Sequence, residues 1–521
     1  MSTRVYGNAS RLDALLARAA VSEPRRAAVI FPGAAQTYAE VWDRACRFAA
    51  AVAALRLKKG DRVAFWSANR PEFVEVLFGV SMLGAITAPL DHWWTWTDAN
   101  VALSQIRPKI LVVGGPQALE VSGRRDALQA AGVECVLCLD EWAGGPSVRS
   151  YEYQLASANA LQARTPVVPT DPAMILFTSG STGRPKGAVH THGSLLAAAT
   201  TMALELGLKE GERTLHFLPL FSSCLEHLIP LTLMRATHII MPHFDAAAVW
   251  ESILAFGVTH FDAVPTTLRR IIEVAPARIP ESLRLISYAS ENMPGRLITE
   301  LTDRMPAVEF VQFYGMIEQL CLTVLSASDQ RRKIGTVGRP MMGAQLHLLH
   351  AGDGTSGPEE AGEIVARSPT LFAGYWQDAA ATTQVMHGEW MRTGDFGRFD
   401  AEGFLILEGR IKEIIKSGGL TVIPAEVESV LMQHPGVNEA AVIGVPDERW
   451  GEAVHAFVTL SRSATALESE LKSFCHERLT GYKCPKVIHI VQELPRTGIG
   501  KIARRVVRAQ AAAATSDLNL R

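Results

Sequence analysis

The 521-residue sequence predicts an α/β protein with a large N-terminal domain and a small C-terminal one. Short apolar runs alternate with amphipathic segments in the first half, which is typical of parallel sheets covered by helices on both faces. A predicted strand at 404–408 leads into a charged junction, Gly409-Arg410-Ile411-Lys412, and a smaller α/β unit follows. A chain of this length can bury more than one sizeable core.

The N-terminal elements follow from local patterns. Thr37 and Glu40 form a capping-box pattern, which predicts a helix from Tyr38 to Leu55. The longest apolar stretch, Val76 to Leu90, is too short to span a bilayer and predicts a buried helix followed by a strand. Strands are predicted at Arg62–Trp66, Gly84–Pro89, Lys109–Val113 and Glu134–Leu139.

The C-terminal elements are predicted in the same way. One helix begins near Pro424 and ends at Pro435-Gly436, burying one apolar face. A second helix carries one apolar stripe made of Leu467, Leu471, Phe474 and Leu479. Strands are predicted at Ala440–Gly444, His455–Leu460 and Val487–Gln492.

Composition narrows the class of protein. The apolar fraction of 48% and charged fraction of 20% are those of a globular chain. A net charge of -2 gives no reason to expect nucleic acid or a membrane as a partner. The cysteine count of 7 is odd and the residues are scattered, which favours reduced thiols and a cytoplasmic protein. Charged residues at Arg4, Arg11, Asp13 and Arg18 argue against a secretory signal.

A loop rich in hydroxyls and glycines follows the apolar run at 173–177. It reads Thr178-Ser179-Gly180-Ser181-Thr182-Gly183-Arg184-Pro185-Lys186-Gly187. Glycines let the backbone approach a bulky anion, hydroxyls and N–H groups donate hydrogen bonds, and Lys186 adds positive charge, so the loop suits phosphate. It is not the common P-loop, since Pro185 stands where that pattern needs glycine. The loop alone is equally consistent with a polar surface turn.

Further motifs occur in a fixed order along the chain: Tyr314-Gly315-Met316-Ile317-Glu318, Arg392-Thr393-Gly394-Asp395, the junction at 409–412 and Pro495-Arg496-Thr497-Gly498-Ile499-Gly500-Lys501. With the phosphate loop, they resemble the signatures of the adenylate-forming superfamily. That superfamily includes acyl-CoA synthetases, peptide-synthetase adenylation domains, luciferases and amide ligases. On these motifs the chain is identified as a member over essentially its whole length.

The resemblance implies a fold and an activity. Residues 1–411 would form a domain of parallel sheets layered with helices, plus a small barrel, and residues 412–521 a mobile lid. Mg²⁺ and ATP would adenylate a medium-sized, cyclic or aryl carboxylic acid, releasing pyrophosphate, and the acyl group would pass to coenzyme A. The alternative acceptor is an amino-acid amine, as in coronafacate-ligase-like amide synthetases. The resemblance leaves open a homodimer.

The resemblance also implies a set of site residues. ATP would be bound by Thr178, Ser179, Gly180, Ser181, Thr182, Gly183, Lys186, Ser290, Glu291, Tyr314, Gly315, Asp395, Arg410 and Lys501. Lys501, Glu318 and Lys186 would be catalytic, with Glu318 also binding Mg²⁺. The acyl pocket would be formed by Phe221, Ser222, His227, Ala289, Gly315 and Met316. Lys412 would be the hinge of the lid, and Gly418 and Gly419 would serve the acceptor step.

The sequence departs from the family pattern mainly on the acyl and acceptor side. Ile317 stands where threonine is usual, a loss that would weaken adenylation by about 1 kcal/mol or more if the phosphate oxygen finds no other donor. Ser222 stands where many acyl-CoA synthetases carry histidine, and Leu420-Thr421 replaces a frequent pair in the lid. We therefore expect an unusual acid, an unusual acceptor, or both.

Two further groups allow alternative interpretations. His227 with Glu226 is either a base for the acceptor or, as we favour, a structural histidine. Trp93, Trp94 and Trp96 form either a substrate box or, as we favour, a packing cluster. A non-catalytic nucleotide-binding protein is the remaining alternative to an enzyme, since Ile317 removes a phosphate-binding hydroxyl.

Overall fold

The computed structural model describes residues 10–141, 148–178, 185–291, 293–350, 360–461, 467–496, 502–504 and 506–511. The strands, in chain order, are β1 (Ala27–Phe31), β2 (Ala34–Thr37), β3 (Arg62–Trp66), β4 (Ile86–Pro89), β5 (Ile110–Val113), β6 (Cys135–Cys138), β7 (Val148–Ser150), β8 (Pro172–Thr178), β9 (Lys186–Thr191), β10 (Arg213–His216), β11 (Thr237–Ile240), β12 (His260–Ala263), β13 (Leu285–Tyr288), β14 (Glu309–Tyr314), β15 (Thr323–Leu325), β16 (Arg339–Pro340), β17 (Gln345–Leu349), β18 (Gly362–Arg367), β19 (Met386–His387), β20 (Trp390–Phe399), β21 (Leu405–Arg410), β22 (Ile415–Ser417), β23 (Leu420–Val422), β24 (Val437–Asp447), β25 (Gly451–Leu460) and β26 (Val487–Ile490).

The α-helices are α1 (Ala14–Ser22), α2 (Tyr38–Ala54), α3 (Glu72–Met82), α4 (Trp96–Ile106), α5 (Pro116–Val121), α6 (Arg125–Ala130), α7 (Tyr151–Ala156), α8 (His192–Glu205), α9 (Leu220–Ser223), α10 (Ile229–Leu233), α11 (Ala246–Phe256), α12 (Pro265–Glu273), α13 (Gly295–Arg304), α14 (Ala379–Val385), α15 (Pro424–Leu431) and α16 (Glu468–His476). A π-helical turn (Cys224–Leu228) joins α9 to α10, and a 3₁₀ turn (Ile411–Glu413) follows β21.

Two sheets organise the large N-terminal part. The first has the strand order β7-β6-β5-β3-β4-β8-β9, and its strands run parallel except for the β8–β9 pair. The second has the order β16-β15-β14-β13-β12-β10-β11-β1-β2, with a parallel centre and antiparallel strands at both edges. The α/β class and the parallel sheets predicted from the alternating pattern are therefore confirmed.

The core lies in layers on both faces of these sheets. One cluster fills the space between the sheets with side chains of α1, α2, α3 and α8. A second lies under α11, α12 and α13, and a third under α4 and α6. The capping box of Thr37 and Glu40 opens α2 as predicted. Every residue of α3 from Phe73 to Met82 is buried, which fits its mostly apolar sequence, and the carboxylate among them, Glu75, is paired with Arg44.

A smaller antiparallel sheet follows the second parallel sheet in the chain, where the prediction placed a small barrel; among the described residues, no strand pairing closes this sheet. Its strand order is β17-β18-β20-β19, with β21 paired to β20. The pairing places Asp395 of β20 directly opposite Arg410 at the end of β21. This sheet therefore carries two of the predicted ATP-binding residues on adjacent strands.

The C-terminal part has its own sheet, with strand order β23-β22-β25-β24 and β26 parallel to β25. Its core contains Val427, Leu431 and Leu471, as the apolar stripes predicted. Leu467 was wrongly assigned to the buried stripe: it is 71% exposed because it is the N-cap residue, just before the first turn of α16. The domain boundary between 411 and 412 stays a prediction. Among the described residues, no helix has both the length and the hydropathy to cross a bilayer.

Candidate active site

The predicted site residues gather at the carboxyl ends of parallel strands, where α/β sheets usually bind ligands. Thr178 ends β8, Ser290 and Glu291 follow β13, and Tyr314 ends β14. A wide cleft opens here between the N-terminal and C-terminal parts of the chain. Its large-domain wall includes Ser290, Glu291, Tyr314, Gly315, Asp395 and Arg410, and its opposite wall includes Glu426, Lys483, Arg496 and Arg504.

Tyr314, Asp395 and Arg410 form one polar cluster on the cleft wall. The Tyr314 hydroxyl donates to Asp395 Oδ2 at 2.6 Å, and Arg410 Nε lies 2.7 Å from Asp395 Oδ1. Burial raises the pKa of Tyr314 well above its usual value, so the phenol stays protonated and acts as a donor. Both carboxylate oxygens of Asp395 are thus engaged, and the Tyr314 ring is held in one orientation.

Gly315 makes a turn that no other residue fits. A Cβ at this position would lie 1.7 Å from the backbone oxygen of Leu320. Leu320 itself has a φ of 49°, which places it in the left-handed region. The tight turn fixes the path of the chain from Tyr314 to Glu318.

Tyr375, which the sequence analysis missed, lies between Glu318 and Lys186 and contacts both. The Tyr375 hydroxyl donates to Glu318 Oε1 at 2.6 Å, and Lys186 Nζ lies 5.1 Å from the centroid of the Tyr375 ring. Lys186 is paired with Thr178 across the β8–β9 hairpin, so both ends of the phosphate loop are close to Tyr375. In the sequence, the tyrosine after Gly374 has no feature that distinguishes it from an ordinary aromatic residue.

The donor set around Glu318 is compatible with Mg²⁺. A carboxylate supplies hard oxygen ligands, and Mg²⁺ in nucleotide enzymes is commonly held by one or two carboxylates and the substrate phosphates. The Tyr375 hydrogen bond orients the carboxylate toward the side of Lys186. Glu318 is therefore the residue we expect to hold the ion.

A buried histidine contacts the backbone next to Glu318 and fixes its position. His190 Nε2 contacts the backbone oxygen of Ile317 at 2.7 Å, and burial lowers the pKa of His190 to about 4, so its ring is neutral near pH 7. The Ile317 side chain packs against the apolar cluster that contains Phe372 and Met391. Where threonine would offer a hydroxyl, this chain thus uses the position for packing.

On the acyl side the structure joins Phe221 to the tryptophan-rich loop. The Phe221 ring lies 6.2 Å from that of Trp93 and 5.9 Å from that of His92, and Trp94 lines the cleft. Trp94 and Trp96 pack against an apolar cluster, as the packing interpretation predicts, while Trp93 and Trp94 also adjoin the predicted site. Ser222 donates to the backbone oxygen of Pro219 at 3.2 Å, and Ala289 is 8% exposed. Met316 packs on the cluster of Phe372 and Met391.

His227 lies in the π-helical turn and belongs to a polar group that the sequence did not reveal. Its Nε2 is 3.1 Å from Ser287 Oγ and its Nδ1 is 3.3 Å from Asp262 Oδ2. A π turn is often found at functional sites. Asp262 could have been noticed, because it interrupts the apolar strand His260–Ala263.

The remaining predicted residues are in the C-terminal part or outside the described residues. Gly418 and Gly419, with φ of 60° and 78°, form the two-residue turn between β22 and β23. Lys412 is exposed in the 3₁₀ turn. Arg496 and Ile502 pair in a β-bridge, and both line the cleft. Lys501 and the loop residues Ser179, Gly180, Ser181, Thr182 and Gly183 lie outside the described residues.

Comparison with known proteins identifies the class. Residues 16–376 match the model of the AMP-binding enzyme family, and residues 426–501 match that of the AMP-binding enzyme C-terminal domain. The chain therefore belongs to the AMP-binding enzymes, and the resemblance read from the motifs is confirmed.

Three individual proteins illustrate what the chain is similar to within this family. A long-chain-fatty-acid–CoA ligase of Mycobacterium tuberculosis is 34% identical, over 95% of this chain and 97% of the relative. The crystal structure of an anthranilate CoA ligase with anthranoyl-AMP is similar, with a TM-score of 0.89 and 27% identity over 97% of this chain and 98% of that one. An amide bond synthetase of Marinactinospora thermotolerans has a TM-score of 0.86 and 28% identity over 96% of this chain and 99% of its own.

Proposed function

We propose that this enzyme is an ATP-dependent carboxylic acid ligase that forms an acyl adenylate and then transfers the acyl group to coenzyme A. The observation that carries the proposal is the Tyr314–Asp395–Arg410 cluster, which lies on one cleft wall with Gly315 and the turn to Glu318. An aromatic ring, a fixed carboxylate and a cation in this order suit adenine, ribose hydroxyls and phosphate respectively.

In the first step a carboxylate oxygen attacks the α-phosphorus, and the bond to pyrophosphate breaks. Both reactants are anionic, so cations must offset the developing charge. Lys186 and the loop after Thr178 would hold the leaving pyrophosphate, and Lys501 would contact the acid and the α-phosphate. Bound Mg²⁺, held by Glu318, would supply further charge stabilisation.

In the second step the acceptor attacks the acyl carbonyl and AMP leaves. The lid would rotate about Lys412, withdraw Lys501 and bring the Gly418-Gly419 turn to the acyl adenylate. One cleft would thereby serve both half-reactions in turn.

Coenzyme A is the proposed acceptor because several relatives with about the same length as this chain are named as CoA ligases. An amino-acid amine is the second candidate. It is favoured by the likeness to an amide bond synthetase and by Ser222 and Leu420, which depart from the usual acyl-CoA synthetase pattern on the acceptor side.

The test supplies the enzyme with ATP, a panel of aryl, alicyclic and medium-chain acids, and either coenzyme A or an amino acid. Mass spectrometry should detect a thioester in the coenzyme A reactions and AMP as co-product. Detection of an amide without a thioester would show that the acceptor is an amine and not coenzyme A. Absence of acid-dependent pyrophosphate exchange over the whole panel would contradict a ligase and favour a nucleotide-binding protein.

The proposal includes the cellular compartment and the partners of the enzyme. We place the enzyme in a reducing cytoplasm, because each of its cysteines is an unpaired, buried thiol. Neither nucleic acid nor a membrane is needed as a partner for this chemistry. A homodimer stays a prediction.

A further inference from the structure

A polar cluster lies inside the apolar core beside the cleft. We call it the His–carboxylate cluster, and its members are Glu226, His227, His260, Asp262 and Ser287. Two belong to the π turn, two to β12 and one to β13. Ser287 Oγ lies between the two rings, 3.1 Å from His227 Nε2 and 2.9 Å from His260 Nε2. Asp262 Oδ2 closes the group, 3.3 Å from His227 Nδ1.

Within the described residues, two buried polar atoms of the cluster have neither a hydrogen bond nor an ion-pair contact: His260 Nδ1 and Asp262 Oδ1. Their residues are 0% and 7% exposed. A buried polar atom without a partner is costly and usually has a functional reason. The unpaired oxygen of Asp262 therefore points to a ligand group that completes it.

The unpaired oxygen of Asp262 is a hydrogen-bond acceptor. Burial lowers the pKa of His227 well below its usual value and that of His260 to about 3, so both rings are neutral near pH 7. Burial also raises the pKa of Asp262 well above its usual value, so this carboxyl group is neutral too. With its proton on Oδ2, which faces His227 Nδ1, the carboxyl group leaves Oδ1 to accept a hydrogen bond. The matching ligand group is a donor, that is, an N–H or an O–H.

The cluster adjoins the predicted acyl pocket. Ser287 in β13 and Ala289 just after this strand share one face of the sheet. The His227 ring lies 6.3 Å from that of Phe313, which lines the cleft. Glu226 is partly exposed although Leu225 and His227 on either side of it are each only 2% exposed. The cluster therefore lies directly behind a residue of the cleft wall.

We propose that the His–carboxylate cluster forms the far end of the acyl pocket and selects acids that carry an amino or hydroxyl group remote from the carboxylate. This inference rests on the proposed function, since it assumes that the pocket receives an acid. A donor at the far end of the substrate pairs with Asp262 Oδ1. A methyl group of similar size fills the same volume but leaves this oxygen unpaired.

A divalent metal ion is the competing occupant. One donor atom each from Glu226, His227 and Asp262 lies within 4.8 Å of the others, and such nitrogen and oxygen ligands suit Zn²⁺ or Mn²⁺. We favour the organic donor because the His227 ring lies beside Phe313 of the cleft wall and Ser287 shares a sheet face with Ala289 of the predicted acyl pocket.

The test measures pyrophosphate release with benzoates and phenylacetates that carry an amino, hydroxyl or methyl group at the meta or para position. For the best-fitting ring position, we expect kcat/KM with the donor-bearing acid to exceed that with the methyl analogue by about tenfold or more. In Asp262→Leu the preference should reverse, and in the isosteric Asp262→Asn it should shrink. Glu309→Gln, on the exposed start of the neighbouring strand β14, should keep the native preference.

The outcomes distinguish failure of the proposed role of the cluster from failure of the proposed ligase function. If the native enzyme turns over acids but prefers the methyl analogue at every ring position, the role of the cluster is contradicted and the ligase function is not. This comparison uses only the native enzyme, so it does not depend on whether a variant folds. Stoichiometric Zn²⁺ or Mn²⁺ by elemental analysis, lost in Asp262→Asn, also contradicts it. No pyrophosphate release with any acid contradicts the ligase function itself and the inference with it.

Discussion

At the scale of the residue, the site depends on a few side chains whose freedom is removed by buried partners. Asp395 is held by Tyr314 and Arg410, and Glu318 is held by Tyr375. Hydrogen bonds to a carboxylate are stronger than those between neutral groups, so each carboxylate is fixed before a nucleotide arrives. Catalysis by charge stabilisation needs such preorganisation, since the groups then need no rearrangement during the reaction.

Replacement of Tyr375 by phenylalanine tests the orientation of Glu318. The variant loses the 2.6 Å hydrogen bond to the carboxylate but keeps the ring beneath Lys186. We expect pyrophosphate exchange at limiting Mg²⁺ to fall about tenfold, the effect of losing one hydrogen bond to a charged group. Tyr153→Phe, at a 67% exposed position on α7, is the control and should change nothing. Equal Mg²⁺ dependence in both variants would exclude the role of Tyr375.

Gly315→Ala tests the tight turn below the nucleotide cleft. The added Cβ would lie 1.7 Å from the Leu320 oxygen, so the backbone must move. We expect the free energy of unfolding to drop by about 2 kcal/mol or more, and ATP binding to weaken, because the turn carries Tyr314 and Glu318. Urea denaturation and nucleotide titration measure the two effects.

The control for this turn is Gly481→Ala, where the new Cβ would meet nothing within 4 Å. Its stability should stay within about 0.5 kcal/mol of the native value. A Gly315→Ala variant as stable as this control would contradict the close approach.

At the scale of the element, the two-residue turn between β22 and β23 is the part of the lid that the sequence assigns to the acceptor step. Both of its glycines have positive φ, which matches the twist of a tight hairpin. Gly418 also donates its N–H to the Trp450 oxygen at 2.7 Å, so the turn is anchored on the lid rather than on the large domain. This anchor on the C-terminal part is what the proposed movement of the turn with the lid requires.

Gly419→Leu separates the two half-reactions. Nothing lies within 4 Å of the new Cβ, so the lid should fold with a loss of about 1 kcal/mol from the positive φ. The side chain would crowd the approach of the acceptor. We expect thioester formation to fall at least about tenfold while pyrophosphate exchange is retained, as measured by mass spectrometry and isotope exchange.

Gly403→Leu is a closely matched control. Gly403 has a φ of 79°, against 78° for Gly419, has an equally open surrounding, and lies in the turn between β20 and β21. The same strain is thus introduced away from the acceptor. If both variants lose thioester formation to the same extent, the loss comes from strain and not from the acceptor step.

At the scale of the whole molecule, Lys412 lies between two anchors, one on each side of the predicted domain boundary. On its N-terminal side Arg410 is paired with Asp395 of the large domain. On its C-terminal side Glu413 Oε2 lies 3.2 Å from Arg504 Nε, and Arg504 Nη1 lies 2.6 Å from Glu428 Oε1 of the lid. Rotation between the domains would therefore be absorbed at Lys412, which supports its role as the hinge.

Lys412→Pro tests this hinge. Proline fixes φ near −65°, so the backbone at this position can no longer take up a second conformation. We expect adenylation to continue at a rate similar to the native one, and overall thioester formation to fall about tenfold or more, because the lid cannot reach the acceptor arrangement. The two steps are measured by pyrophosphate exchange and by thioester production under steady-state conditions.

Lys412→Ala is the matched control because it removes the charge and leaves the backbone free to rotate. It should retain most of the overall activity. If Ala and Pro at this position impair the thioester step equally, the side chain of Lys412 matters and the hinge does not.

The sequence alone determined the class of fold. Alternating apolar runs predicted the parallel strands β3, β4, β5 and β6 to within two residues at each end, because buried parallel strands leave a strong local pattern. The roles of Glu318, Asp395 and Arg410 stay predictions that come from the resemblance of their motifs to the family, and the structure places Asp395 and Arg410 together on one wall of the cleft.

Only the tertiary structure brought together residues that are far apart in the sequence. Tyr375 meets Glu318, and Asp262 and Ser287 meet His227, across different strands and helices. No local pattern marks such contacts, because they depend on how the sheets stack. The buried polar atoms of Asp262 and His227, and with them the selectivity we propose for the acid, arise at that level.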